Sequence, residues 1–161
     1  MSMGDWQQAA TYITEKIFIN SFNVQHVQAS KAQNQNKMEN TKQDLAAITL
    51  ALDNYLDGIY TGDIKKLVKV YDAHALVLGD VNGVPYFKTL DQYLDGVKNR
   101  QSVKDSGKPF NGTIISIDVI NSIAVVKLHV KMYDFNYHEF LSFHKLDKQW
   151  LIVNKMLTNV I

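Results

Sequence analysis

The chain has 161 residues, the length of one domain or of one domain with an extension, and at about this size folding buries roughly 68–70% of the unfolded surface, enough for a core without staples. An apolar fraction of 46% against 20% charged excludes overall disorder, and the absence of cysteine excludes disulfides, thiol nucleophiles, zinc ribbons and cysteine-ligated clusters. With 17 basic and 16 acidic residues, no net field draws the chain to nucleic acid or anionic lipid.

Residues 1–28 mix apolar and polar positions and read as a helix, followed by an extended piece. From Ser30 to Asp44 the chain is rich in Gln, Asn and Lys, with Met38 its only large aliphatic residue, which reads as a connector or a solvated helix. Residues 1–40 are therefore expected to form an N-terminal extension, and residues 41–161 the folded domain. No apolar run approaches the roughly 18 residues of a membrane helix. Ile17-Phe18-Ile19, closed by Asn20, falls short of a signal-peptide core of about 7–15 residues. The expected location is cytoplasmic.

Thr41-Lys42-Gln43-Asp44 has the form of a capping box and predicts a helix start. Leu45, Ile48, Leu52, Tyr55, Leu56 and Ile59 then recur at helical spacing up to Gly62. Asp63 predicts the cap of a second short helix with Ile64, Leu67, Val68 and Tyr71 on its apolar face. A short strand is expected over 75–79, a turn over 80–83 and an extended segment over 84–88. Thr89-Leu90-Asp91-Gln92 is a second capping box, opening a helix that presents Leu90, Tyr93, Leu94 and Val97 together. After Lys108 the pattern alternates with period two, giving strands at 112–120, 123–133, 137–146 and 149–158. Their short connectors imply antiparallel hairpins. Three helices followed by a meander predict an α+β fold with helices on one face of an antiparallel sheet.

A two-residue turn at Asn121-Ser122 sets Val119 opposite Ala124 and Ile117 opposite Val126. One face then collects Thr113, Ile115, Ile117 and Val119 with Ala124, Val126, Leu128 and Val130. A turn at Asp147-Lys148 sets Lys145 opposite Trp150, Phe143 opposite Ile152, Leu141 opposite Asn154 and Glu139 opposite Met156. Glu139 and Asn154 are thereby expected to point between sheet and helices. Phe140, Ser142, His144, Leu151, Val153, Lys155 and Leu157 fall on the opposite face. That face is too apolar for full solvation, and a symmetric homodimer is expected to cover it.

Tyr55-Leu56-Asp57-Gly58-Ile59-Tyr60, Thr61-Gly62-Asp63, Asp72-Ala73-His74-Ala75, Glu139-Phe140-Leu141-Ser142-Phe143-His144-Lys145 and Asp147-Lys148-Gln149-Trp150-Leu151-Ile152-Val153-Asn154-Lys155 together resemble the putative lumazine-binding family, part of the nuclear transport factor 2-like superfamily. The resemblance covers roughly residues 42–158. It implies a cone-shaped α+β fold, three helices on a curved sheet around a pocket, commonly dimeric. The chain departs from the pattern at Glu139 where aspartate is usual, at Lys148 where glycine is usual, and at His74 where Asp or Asn is commoner.

Superfamily relatives include isomerases, dehydratases and cyclases that work through pocket acids and histidines. On that ground Glu139 and His74 are the candidate acid–base groups, since a desolvated carboxylate or an imidazole can exchange protons near neutral pH. The alternative for Glu139 is a salt bridge to Lys145 or a helix residue. Tyr55, Tyr93, Tyr137 and Trp150 are candidates to line a pocket for a small apolar or aromatic ligand, or else plain core. Asn154 is placed to orient a ligand carbonyl or to hydrogen-bond Glu139. No metal site is expected: His138 and His144 lie roughly 20 Å apart along one strand, and His129 and His144 fall on the outer face. No P-loop, G-x-G-x-x-G, G-x-S-x-G or H-E-x-x-H occurs, so no cofactor is expected. Two readings remain open: a small-molecule-binding protein, with isomerase, dehydratase or cyclase chemistry as its enzymatic form, and a non-catalytic dimeric scaffold.

Overall fold

The computed structural model describes residues 3–160, with side chains at positions 16, 28, 30, 31, 33 and 35–160. His26 and most side chains of the expected N-terminal helix lie outside the described residues. The chain divides into two compact units, Met1–Lys42 and Gln43–Ile161.

Helix α1 runs over Met3–Thr61 without interruption. The expected start at Thr41 is not used. No Gly or Pro occurs between Asp5 and Asp57 to stop a helix, and the Thr41 hydroxyl donates to the Lys37 carbonyl one turn back, at 2.9 Å. Asp44, the acid of the expected box, is engaged elsewhere. Its Oδ1 accepts from Lys145 Nζ at 2.6 Å and Trp150 Nε1 at 2.9 Å.

Within the Gln43–Ile161 unit, α1 buries Ile48, Leu52, Tyr55 and Ile59, four positions on one helical face. It ends at Gly62, whose φ of 72° is a left-handed stop. Asp63 caps α2 (Ile64–Val70) by accepting from the Lys65 and Lys66 amides. Val70 rather than Val68 faces inward; Val68 is exposed, and Tyr71 already belongs to strand β1 (Tyr71–Val81). Strand β2 (Val84–Thr89) leads into α3 (Leu90–Lys98), where both hydrogen bonds of the Thr89–Gln92 capping box form and Leu90, Tyr93, Leu94 and Val97 are buried. A single turn, α4 (Val103–Ser106), follows. The chain then forms β3 (Phe110–Ile120), β4 (Ile123–Met132), β5 (Phe135–Leu146) and β6 (Gln149–Asn159).

The six strands make one sheet in the order β2-β1-β6-β5-β4-β3. All pairings are antiparallel except β1 with β6, which is parallel. The fold is thus α+β, with three helices against a mixed rather than wholly antiparallel sheet. Gly79 permits the parallel seam: a Cβ there would stand 1.8 Å from the Leu157 carbonyl oxygen.

Near both turns the expected register holds, with Val119 opposite Ala124, Ile117 opposite Val126, Lys145 opposite Trp150 and Phe143 opposite Ile152. Beyond them two bulges change the phase. In β3 the ladder slips at Ile115, so Ile114 pairs with Leu128 and Gly112 with Val130. Ile115 and Thr113 turn outward, and Gly112 gives room to Leu56, whose Cδ2 would lie 2.5 Å from an added Cβ. In β6 the ladder slips at Val153. Leu141 therefore pairs with Lys155 and Glu139 with Leu157, and Asn154 and Met156 leave the inner face.

Candidate functional site

The slip in β6 determines the polar chemistry of the interior. It brings Lys155 inward, 4% exposed, against Glu139 on β5, 1% exposed. Lys155 Nζ lies 2.7 Å from Glu139 Oε1. Its hydrogen bond goes to the hydroxyl of Tyr55 on α1, at 2.6 Å, and that hydroxyl donates to Glu139 Oε2 at 2.5 Å. Three elements thus meet in one buried triad. Both carboxylate oxygens thus have a donor close by, the Tyr55 hydroxyl at Oε2 and the Lys155 ammonium at Oε1.

Aromatic rings surround the ammonium. Lys155 Nζ stands 5.1 Å from the Tyr55 ring centroid and 5.4 Å from that of Tyr93, within range of cation–π attraction. Tyr71 meets Tyr55 edge-on at 6.2 Å, and its own buried hydroxyl has no aligned hydrogen-bond partner among the described residues. Burial works against the Lys155 charge, but the carboxylate of Glu139 outweighs it and holds the ammonium pKa above its ordinary value. Burial, reinforced by Glu139, pushes the Tyr55 phenol well above its usual range, so it stays a donor. Burial likewise raises Tyr71, and it raises the half-buried Tyr86 and Tyr137.

Beside the triad lies a cavity of about 120 Å³. Glu139 and Lys155 form its polar part, Tyr86, Tyr93 and Tyr137 contribute phenol rings, and Val81, Met132 and Leu157 supply apolar wall. Arg100, just after α3, lies at the same cavity. The structure therefore brings together Glu139, Tyr55, Tyr93 and Tyr137 of the residues singled out by sequence, with Tyr55 acting through Glu139 rather than lining the space itself.

Three others are elsewhere. His74 is exposed on β1, where its backbone N–H donates to Asp72 Oδ1 at 2.8 Å, and it does not line the cavity. Asn154, turned by the bulge, donates to the Leu76 carbonyl at 3.4 Å instead of meeting Glu139. Trp150 is tied to Asp44 and lines a separate surface groove of about 270 Å³ with Leu50, Lys69 and Lys148. Lys145, expected as a partner of Glu139, pairs with Asp44. Sequence reasoning missed Lys155, Arg100 and Tyr71. A carboxylate placed on an inner face requires a cation, which was the available signal for Lys155. No group of three or more His, Cys, Asp or Glu side chains suited to a metal occurs among the described residues. Nor, among them, is any helix long and apolar enough to cross a membrane.

The profile of the family described as putative lumazine-binding matches residues 43–158. No curated protein matches the chain. Among solved structures, a nuclear transport factor 2-like protein of unknown function from Silicibacter pomeroyi is similar at a TM-score of 0.68 and 20% identity, over 74% of this chain and 98% of that one. A similar protein of unknown function from Shewanella baltica gives 0.66 and 20%, over 74% and 95%. A ketosteroid isomerase-like protein from Erwinia carotovora atroseptica gives 0.57 and 14%, over 73% and 97%. At these identities the likeness is one of fold.

Proposed function

Because this chain belongs to the putative lumazine-binding family, with a nuclear transport factor 2-like fold, we propose that its Gln43–Ile161 unit binds a small molecule in the cavity beside Glu139. One observation carries this reading: the buried Glu139–Lys155 pair, Arg100 and the phenol rings of Tyr86, Tyr93 and Tyr137 all line the same cavity, so polar groups converge on one space. The volume of about 120 Å³ is below the roughly 300–1,000 Å³ of drug-sized sites and suits a ligand of a few heavy atoms. Glu139 is the acid–base candidate for any reaction there, since it faces the cavity, and His74 has no place in it.

Native mass spectrometry of the purified full chain, followed by denaturation of the same sample, tests the reading. A small adduct released on denaturation, or saturable shifts at Val81, Met132 and Leu157 when fragments are titrated in, is the expected result. No adduct, and no fragment that moves those three residues, would overturn it.

A second observation supports self-association. Phe87, Leu78, Met156 and Phe140 stand in one register row across β2, β1, β6 and β5, on the face away from Glu139. Phe87, Met156 and Phe140 are 65%, 50% and 46% exposed. The same face carries both Lys127 and Asp118, so a two-fold copy can offset its charges as well as cover the row. The homodimer is part of this proposal; in the scaffold alternative it would be the whole function.

A further inference from the structure

Arg100 is the only arginine in the sequence, against 16 lysines. It lies at the same cavity as Glu139 and Lys155. None of the ion pairs among the described residues includes it. Its guanidinium carbon sits 5.7 Å from the centre of the Tyr133 ring, and the Tyr133 hydroxyl donates to the Gln101 carbonyl. The guanidinium is therefore stacked on an anchored ring while its hydrogen-bonding fork has no carboxylate. A guanidinium presents parallel N–H groups that match a carboxylate in two hydrogen bonds, a geometry lysine cannot reproduce.

The small-molecule reading supplies the site, and this inference rests on it. We infer that the cavity takes a short-chain carboxylic acid, whose carboxylate meets Arg100. The phenols of Tyr86 and Tyr137 line the space beside it. Lys155 is already committed to Tyr55 and Glu139, which leaves Arg100 as the cation for a ligand anion.

The test uses the full chain and matched probes of nearly equal size: lactate, 3-hydroxybutyrate, propionate and butyrate, each against its own amide. Binding is followed by NMR shifts at Val81, Met132 and Leu157. At least one acid is expected to bind about tenfold more tightly than its amide, which corresponds to about 1.4 kcal/mol. Arg100→Gln, at an exposed position, is expected to bring the acid down to the affinity of its amide while leaving the amide unchanged. Amides that bind as well as acids, or an acid indifferent to Arg100→Gln, would overturn the carboxylic-acid assignment and leave the binding site standing. Failure of every probe to move the three residues would overturn both the site and this assignment.

Discussion

Removing Glu139 alone strands a buried ammonium, and removing Lys155 alone strands a buried carboxylate. Either loss costs about 3–5 kcal/mol when the partner remains in a site this dry. Glu139→Gln is thus expected to lower the urea midpoint markedly. The triple variant Tyr55→Phe/Glu139→Leu/Lys155→Met removes all three polar groups together and is expected to recover most of the loss, because apolar replacement of a buried ion pair is often neutral or better. A triple variant no more stable than Glu139→Gln would show that the triad itself stabilises the fold. The same residues set an alkaline limit. Folded Tyr55 and Lys155 hold their protons above their ordinary pKa values of 10.0 and 10.5. At a pH where the unfolded chain has released these protons, the folded chain retains them, so stability falls as pH rises. Their contribution is full below about pH 10 and is lost as pH rises through the folded pKa values. Urea midpoints should hold between pH 8 and 9.5 and decline by pH 11, and decline less in Tyr55→Phe; an equal decline in the two proteins would remove Tyr55 from this account. That Glu139 faces inward was legible from the alternation of β5. Its partner was not, because Leu151, Ile152 and Val153 are all apolar, and either phase of β6 fits such a run equally well.

Turns and caps were read more securely than ladders because they depend on a few residues with specific backbone chemistry. The Thr89 capping box forms as expected, and the hairpins turn at Asn121-Ser122 and Asp147-Lys148. A bulge leaves no such signature: at Ile114-Ile115, as in β6, adjacent apolar residues hide which one is extra. The Thr41 box failed for the opposite reason. The pattern was present, but nothing before it broke the helix, and a capping side chain acts only where the backbone leaves helical geometry. Asp147 and Lys148 both adopt left-handed backbone, with φ of 46° and 68°, which suits a two-residue hairpin. Lysine incurs steric strain there that glycine avoids, offset partly by the greater entropy glycine loses on folding. Lys148→Gly is expected to stabilise by about 0.5–1 kcal/mol, a rise of about 1–4 °C in Tm for a domain of this size. Differential scanning calorimetry decides it: an unchanged or lower Tm would mean that the aliphatic stem of Lys148, packed at the groove beside Trp150, outweighs the strain.

For the whole molecule, the inventory of helices and strands was legible, while the mixed character of the sheet was not. The parallel β1–β6 seam joins strands separated by most of the domain, and no local pattern announces such a pairing. That seam extends the outer face across all six strands and so lengthens the apolar row from β5 and β6 onto Leu78 and Phe87. A stable dimer buries about 1,200–2,000 Å² in total, and a six-stranded face has the breadth to supply it. In sedimentation at about 10 μM, where an interface of this class is expected to be closed, the full chain should run as a dimer. Met156→Glu places a carboxylate within the row, between Leu78 and Phe140, where a two-fold copy would bring it against apolar surface. It should run as a monomer, with unchanged far-ultraviolet circular dichroism because Met156 is 50% exposed and outside the core. A wild-type monomer at this concentration, or a Met156→Glu dimer as tight as wild type, would remove the outer face as the site of self-association and leave the exposed row as a surface for a different protein.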